Sequence, residues 1–315
     1  MTDSILNLEQ VSYRYPDGTC ALDRCSLQIA TGTRTAVLGA NGAGKTTLFL
    51  HLNGILRPAA GRVSWHGTPL EYSRSGLRTL RSRVGLVFQN PDSQLFSASV
   101  REDVSFGPLN LGLAKTVVRE RVEQALQAVG MSEHADKPVH NLSFGQKKRV
   151  CIAGVLAMQP DVVVLDEPMA GLDAAVQREL TLVLDSLHRD GMTIVIATHD
   201  LDFAYGWADQ VLVLQCGRLL AQGSAEDVFQ RPDVEHELGA LPFVAELTRH
   251  LALNGIDLCD NGYQPRSRHE LLTALATRTR QEERNNDHRN RRSRINRQRN
   301  RTPPESAWQG RYPDC

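Results

Sequence analysis

A glycine-rich segment near the N-terminus has the composition and spacing needed to bind a triphosphate. It fits the pattern G-x-x-x-x-G-K-[ST] through Gly39, Ala40, Asn41, Gly42, Ala43, Gly44, Lys45 and Thr46. Glycine allows backbone angles that are closed to other residues, so successive N–H groups can turn towards one phosphate. Lys45 would reach the β- and γ-phosphate oxygens, and the Thr46 hydroxyl would hold Mg²⁺. The segment therefore predicts a site for ATP and Mg²⁺, to which we also assign Thr47.

Two consecutive carboxylates at the end of an apolar run complement this loop. The run Val162–Asp166 is followed directly by Glu167. A buried strand that ends in acids places them at the carboxyl edge of a sheet, where ligands bind in open α/β folds. We expect Asp166 to orient Mg²⁺ through a water and Glu167 to act as general base towards the attacking water. Together, the two motifs predict hydrolysis of a nucleoside triphosphate.

Apolar runs and amphipathic segments alternate along the chain and would position these residues. Continuous apolar runs indicate strands that are buried on both faces of a parallel sheet. They are Arg34–Gly39, Val84–Gln89, Val162–Asp166 and Thr193–Thr198. A helix is predicted over Lys45–Asn53, directly after the glycine-rich segment. A strand, a helix and a second strand in one sheet imply a right-handed parallel crossover.

The remaining regions differ in character and suggest the domain organisation. Short alternating segments over Ile5–Ile29 predict a small antiparallel sheet, and residues 100–155 predict a helical subdomain. We therefore expect an α/β fold of the P-loop NTPase (RecA-like) type, with a parallel sheet core and these two subdomains. The ATP-binding domain would span 1–225, a C-terminal helical extension 226–279, and a basic tail 280–315.

Charge is distributed unevenly, although 36 basic and 36 acidic side chains cancel overall. Arginine accumulates after residue 278, in a segment almost without apolar residues, which we expect to be disordered. No apolar stretch reaches the roughly 20 residues that a membrane span requires. The first ten residues do not resemble a secretory signal, so we expect a cytoplasmic protein. Six scattered cysteines and ten histidines show no metal-ligand spacing.

Five further motifs resemble those of ATP-binding cassette (ABC) ATPases. Leu142–Gln146 (LSFGQ), here called the signature segment, is similar to the LSGGQ motif that distinguishes this family. Gln89 resembles the residue of the family's Q-loop, Ala170–Asp173 resembles its D-loop, and His199 its switch histidine. Tyr15 is similar to the aromatic residue that stacks on adenine. The order and spacing of these motifs agree with the family across residues 1–225.

This resemblance implies roles for the matching residues. Each ATP would lie between the phosphate loop of one subunit and the signature segment of another, so that nucleotide closes a dimer. Ser143, Gly145, Gln146 and Asp173 would complete the site from the partner, and Gln89 would add a contact to Mg²⁺. His199 and Gln89 would assist Glu167 in catalysis. Phe144 replaces the usual glycine, and we expect this change to alter packing without abolishing function.

Other segments narrow the resemblance to the ATPases of energy-coupling-factor (ECF) importers. They are Val87–Phe96 (VFQNPDSQLF), Tyr15–Thr19, Gln146–Val150 and Ile152–Met158. Within that group, the chain is most similar to the cobalt- and nickel-importing members. This implies a peripheral protein on the cytoplasmic face of the membrane, whose partners are a transmembrane coupling protein and a substrate-binding membrane component. Because one chain carries both a complete phosphate loop and a signature segment, a homodimer is favoured.

Three alternatives remain open. The same machinery could energise uptake of a vitamin. An ABC ATPase could act on RNA or DNA, but only the basic tail favours this, and few aromatic residues accompany it; no nucleic-acid partner is expected. A non-catalytic regulatory cassette is disfavoured because Lys45, Asp166, Glu167 and His199 are all present.

Overall fold

The computed structural model describes residues 3–258 and 264–280. Its strands are β1 Ser4–Arg14, β2 Cys20–Ala30, β3 Arg34–Leu38, β4 Ala60–Trp65, β5 Thr68–Pro69, β6 Val84–Val87, β7 Val162–Asp166, β8 Thr193–Ala197, β9 Gln210–Gln215 and β10 Arg218–Gly223. Its helices are α1 Lys45–Leu52, α2 Arg74–Arg83, α3 Val100–Asn110, α4 Lys115–Ala128, α5 Phe144–Leu156, α6 Ala174–Arg189, α7 Leu201–Trp207, α8 Ala225–Phe229, α9 Pro232–Leu238 and α10 Phe243–Leu253. Residues 268–280 are also helical.

The larger sheet has the strand order β10-β9-β3-β8-β7-β6. Strands β9, β3, β8, β7 and β6 run parallel to their neighbours, and β10 pairs antiparallel with β9. Every residue of β6, β7 and β8 is buried, as expected for strands that are covered on both faces. The parallel core predicted from the sequence is confirmed, whereas the handedness of its crossovers stays a prediction. The strands end one or two residues earlier than some apolar runs suggested.

The smaller sheet has the order β2-β1-β4-β5 and is antiparallel. The sequence predicted its first two strands, whereas β4 and β5 lie beyond the expected segment, Ile5–Ile29. The predicted helical subdomain is present as α3, α4 and α5. Residues Leu8, Leu22 and Leu27 of the small sheet join one apolar core with Phe49 of α1. This core fixes α1, and hence the loop before it, between the two sheets.

The chain divides into two compact units, each with its own internal contacts. The first unit ends at Ala245, and the second begins at Glu246. All candidate site residues precede this division. In the second unit, the Arg278 guanidinium donates a hydrogen bond to the Gly255 carbonyl, 3.3 Å away. The boundary that the sequence suggested near residue 225 stays a prediction. The basic tail, including its expected disorder, lies outside the described residues except for residue 280.

None of the helices in the described residues combines the length and apolar character needed to cross a bilayer.

Candidate nucleotide site and signature segment

The glycine-rich segment forms the turn between β3 and α1. Gly39 has φ 144°, and a Cβ atom there would lie 2.4 Å from the Leu214 carbonyl oxygen. Gly44 has φ 106°, and its Cβ would lie 2.5 Å from the Ala21 carbonyl oxygen. Any side chain at either position would therefore collide with backbone of a neighbouring strand or hairpin. Glycine lets the loop curl closely enough to leave a concave surface on its open side.

Lys45 arches back over this loop. The residue is 9% exposed, and its ammonium group donates hydrogen bonds to the carbonyl oxygens of Gly39 at 2.6 Å and Ala40 at 3.2 Å. These carbonyls hold the positive charge at the centre of the concave surface. The start of α1 lies directly below, so the positive end of its dipole points the same way. This arrangement favours an anionic group with several oxygens.

Thr46 and Asp166 meet on one side of the loop. The Thr46 hydroxyl donates a hydrogen bond of 2.7 Å to the Asp166 carboxylate, which is 6% exposed at the end of β7. A hydroxyl and a carboxylate oxygen are ligands that suit Mg²⁺. The glycine cradle, the central ammonium group and this oxygen pair together fit a triphosphate with its magnesium ion.

Glu167 and His199 form the second polar pair of the site. His199 Nδ1 lies 2.9 Å from Glu167 Oε2, and the Glu167 side chain is 13% exposed while that of His199 is 76% exposed. Glu167 has φ 48°, in the left-handed region that residues with a Cβ rarely adopt. Its N–H continues the sheet pattern by donating to the Ala197 carbonyl at 3.1 Å. The carboxylate is thus held at the carboxyl edge of the sheet, beside Asp166.

One cavity of about 720 Å³ joins most of the residues predicted from the sequence. Its lining includes Tyr15, Gly39, Ala40, Asn41, Gly42, Ala43, Gly44, Lys45, Thr46, Thr47, Gln89, Asp166, Glu167 and His199. At one end, the Tyr15 hydroxyl lies 3.1 Å from Thr47 Oγ1, which ties the ring to α1. The structure therefore gathers side chains that are separated in the sequence by more than a hundred residues.

The cavity also contains residues that the sequence did not single out. Glu237 and Leu238, at the end of α9, contribute to its wall. The Gln215 amide donates a hydrogen bond of 2.5 Å to the Glu237 carboxylate and fixes it there. No motif surrounds Glu237, so its position could only be learned from the folded chain.

The signature segment and Asp173 lie outside this cavity. The predicted site residues that are absent from its lining are Ser143, Gly145, Gln146 and Asp173. Ser143 caps α5: its hydroxyl accepts from the Gln146 N–H at 3.3 Å, and the Gln146 side chain accepts from the Ser143 N–H at 3.0 Å. Asp173 caps α6 through the N–H groups of Ala175 and Val176. Ser143 is exposed, so the start of α5 presents a polar surface outwards.

Three basic residues, Lys147, Lys148 and Arg149, follow the signature segment, and each has a partner within its own chain. Lys147 forms a salt bridge of 2.7 Å with Asp92, and Arg149 pairs with Glu179. Lys148 turns inwards and is 2% exposed. Burial lowers the pKa of Lys148 to about 8, and the Glu167 carboxylate opposes this shift. Each of these three side chains therefore forms a salt bridge or hydrogen bonds within its own chain.

Among the described residues, no group of three or more His, Cys, Asp and Glu side chains is arranged to hold a metal ion.

Comparison with known proteins places this geometry in a family. Residues 22–170 match the family model described as ABC transporter. The energy-coupling factor transporter ATP-binding protein EcfA of Methanothermobacter thermautotrophicus is 46% identical over 86% of this chain and 88% of its own. The EcfA protein of Methanocaldococcus jannaschii is 51% identical over 77% of this chain and 88% of its own.

Solved structures of ABC proteins are similar to this chain in fold. cbiO1 from Clostridium perfringens, part of the ABC transporter complex cbiONQ, is 47% identical and superposes with a TM-score of 0.68 over 78% of this chain and 99% of its own. A dimeric ATP-binding cassette with bound ADP and Pi has a TM-score of 0.64 over 70% of this chain and 98% of its own, and its 24% identity supports the fold alone. The chain is therefore an ABC ATPase and belongs to the ATP-binding proteins of energy-coupling-factor transporters.

Proposed function

We propose that this ATPase binds Mg-ATP in the cavity at the glycine-rich loop and hydrolyses it as a homodimer that energises uptake of cobalt or nickel ions. One observation carries the ATP-binding part of the proposal. The cradle, Lys45, the Thr46–Asp166 pair and the Glu167–His199 pair all line a single cavity. Each supplies a function that phosphoryl transfer to water requires.

Nucleotide binding is assigned to the loop and its surroundings. The backbone N–H groups between Gly39 and Gly44 and the Lys45 ammonium group hold the phosphates, and Tyr15 stacks on the base. Thr46 and Gln89 would hold Mg²⁺, and Asp166 would orient it through a water. Asp166 ends β7, and Gln89 follows the neighbouring strand β6. A magnesium ion held there would neutralise charge that develops on the phosphate oxygens.

The Glu167 carboxylate is assigned as the proton acceptor. It takes a proton from the attacking water as the water oxygen bonds to the γ-phosphorus, and the bond from that phosphorus to the β–γ bridging oxygen breaks. His199, 2.9 Å from the carboxylate, orients it. A positioned base of this kind contributes roughly a hundredfold to ten-thousandfold to a rate. ADP and phosphate are the products.

The signature half of the site is assigned to the partner subunit. Ser143, Gly145, Gln146 and Asp173 lie at the exposed starts of α5 and α6, where N–H groups and helix dipoles favour an anion. They are absent from the cavity of their own chain. A second copy, arranged head to tail, would bring them to the γ-phosphate.

The cargo and the membrane partners follow from similarity. cbiO1, part of the complex cbiONQ, is 47% identical to this chain. The string Val87–Phe96 resembles ECF ATPases in general, and within that group the chain as a whole is most similar to the cobalt- and nickel-importing members. We infer a peripheral protein on the cytoplasmic face of the cell membrane, bound to a transmembrane coupling protein and a substrate-binding membrane component. An ECF importer for a vitamin is the second candidate. Action on RNA or DNA is a third, which a gel shift at physiological salt would reveal.

Uptake of Co²⁺ and Ni²⁺ tests the cargo directly. Cells expressing the chain with its native membrane partners would be compared with cells carrying Glu167→Gln, and with the exposed control Glu133→Gln. We expect accumulation of one metal to collapse in Glu167→Gln only. Equal accumulation in all three strains, with the proteins present, contradicts the metal assignment and moves the vitamin importer to first place.

A further inference from the structure

Lys148 makes three hydrogen bonds to one short loop. Its ammonium group donates to the carbonyl oxygens of Glu167 at 2.9 Å, Pro168 at 2.8 Å and Ala170 at 2.9 Å. All three donors of a lysine are thereby used, although the side chain is 2% exposed. Burying an ammonium group costs free energy that only well-placed acceptors offset. The loop after β7 and the start of α5 are therefore linked by a buried charge.

This link acts on a residue in an uncommon backbone conformation. Glu167, at φ 48°, is held on both sides: its N–H donates to the Ala197 carbonyl, and its own carbonyl accepts from Lys148. A left-handed conformation is unfavourable at a residue with a Cβ. Such a conformation persists where the surrounding structure holds the residue in place. The two hydrogen bonds fix the peptide planes on either side of Glu167 and thus the direction of its carboxylate.

Phe144 covers this arrangement from outside. The Lys148 Nζ atom lies 5.3 Å from the centroid of the Phe144 ring, within reach of a cation–π interaction. The same ring lies over Gly171, where a Cβ would come within 3.2 Å of its edge. The residue that replaces the usual glycine of the signature segment therefore shields Lys148 and contacts the same loop.

We propose that Lys148 is a positioning residue for ATP hydrolysis: by binding the carbonyls of Glu167, Pro168 and Ala170, it aims the Glu167 carboxylate at the attacking water. The inference rests on the proposed role of Glu167. It also connects the two halves of one subunit, because the signature helix α5 carries the lysine that orders the loop of the catalytic carboxylate. Lys148 itself touches neither nucleotide nor water in this scheme.

Two substitutions separate positioning from general support of the fold. Lys148→Met keeps an unbranched side chain, one atom shorter, and removes all three donors, whereas the amide of Lys148→Gln retains two. We expect Lys148→Met to lower kcat on the order of 100-fold, as misplaced catalytic groups do, with the KM for ATP nearly unchanged. Lys148→Gln should recover part of the loss. The control Lys115→Met removes an exposed lysine from α4 and should leave kcat and KM at their original values.

The decisive comparison repeats Lys148→Met in a Glu167→Gln background under single-turnover conditions. If Lys148 acts through Glu167, the second substitution adds no further loss. An equal loss in both backgrounds, or a raised KM with an unchanged kcat, would overturn the proposal. Thermal melting of each variant checks folding, and Lys148→Gln supplies the comparison if Lys148→Met does not fold. Near-normal turnover by Glu167→Gln alone would instead remove Glu167 from its proposed role.

Discussion

The phosphate-loop half and the signature half of this molecule are built differently. In the first, Lys45, Asp166, Glu167 and His199 project from adjacent parallel strands and the following turns into one cavity. In the second, Ser143 and Asp173 make hydrogen bonds only to the starts of their own helices and lie outside that cavity. In our account, one chain contains the surface that holds the phosphates and the base of the nucleotide. Its catalytic surface is completed, in our account, by another copy.

One substitution in each half should separate ATP affinity from turnover. Of the effects predicted here, this difference between the two variants is expected to be the largest. Lys45→Ala removes the central charge of the loop and should weaken ATP binding by roughly tenfold to a hundredfold. Ser143→Arg should leave ATP affinity of the isolated chain unchanged and lower turnover on the order of 100-fold or more. Nucleotide titration by calorimetry and steady-state phosphate release measure the two effects.

Exposed sites in the helical subdomain provide the controls. Ser132→Arg and Lys115→Ala make similar changes away from both halves, and both affinity and turnover should remain at the original values. Weaker ATP binding by the isolated Ser143→Arg chain would contradict the division of the site, because it would place Ser143 at the nucleotide of its own subunit.

A smaller effect is expected where the two halves touch. Phe144→Gly introduces the residue that the family usually has, and it removes a ring that is 42% exposed and contacts Lys148 and Gly171. We expect the free energy of unfolding to fall by about 1 kcal/mol, and turnover to remain within about threefold of the original value. Urea unfolding and phosphate release check this. A loss as large as that from Ser143→Arg would mean that Phe144 takes part in the reaction.

The sequence predicted which residues of the first half lie together, because local rules determine their placement. A glycine-rich turn between a strand and a helix, and acids at the end of a buried strand, take up one arrangement in a parallel sheet. Adjacent strand ends then bring His199 to Glu167. The capping box that places Ser143 at the start of α5 is seen only in the structure.

Lys148 and Glu237 could not be predicted in this way. Lys148 stands between two other basic residues, a pattern typical of a solvated charged surface. Only the packing of α5 against the loop 167–170 shows that its side chain is buried and bound to three carbonyls. Glu237 lies far along the chain from every motif, and the fold brings α9 to the cavity. Both depend on contacts between segments distant in sequence, which composition and periodicity do not encode.

The mass of Glu167→Gln in solution, measured by analytical ultracentrifugation with and without Mg-ATP, tests the shared site most directly. Because this variant should bind ATP without hydrolysing it, the account predicts a monomer alone and a stable dimer with Mg-ATP. Adding Ser143→Arg should abolish the dimer while ATP still binds. A Glu167→Gln chain that binds ATP and stays monomeric, or a dimer that survives Ser143→Arg, would contradict the claim that nucleotide joins the two halves across subunits.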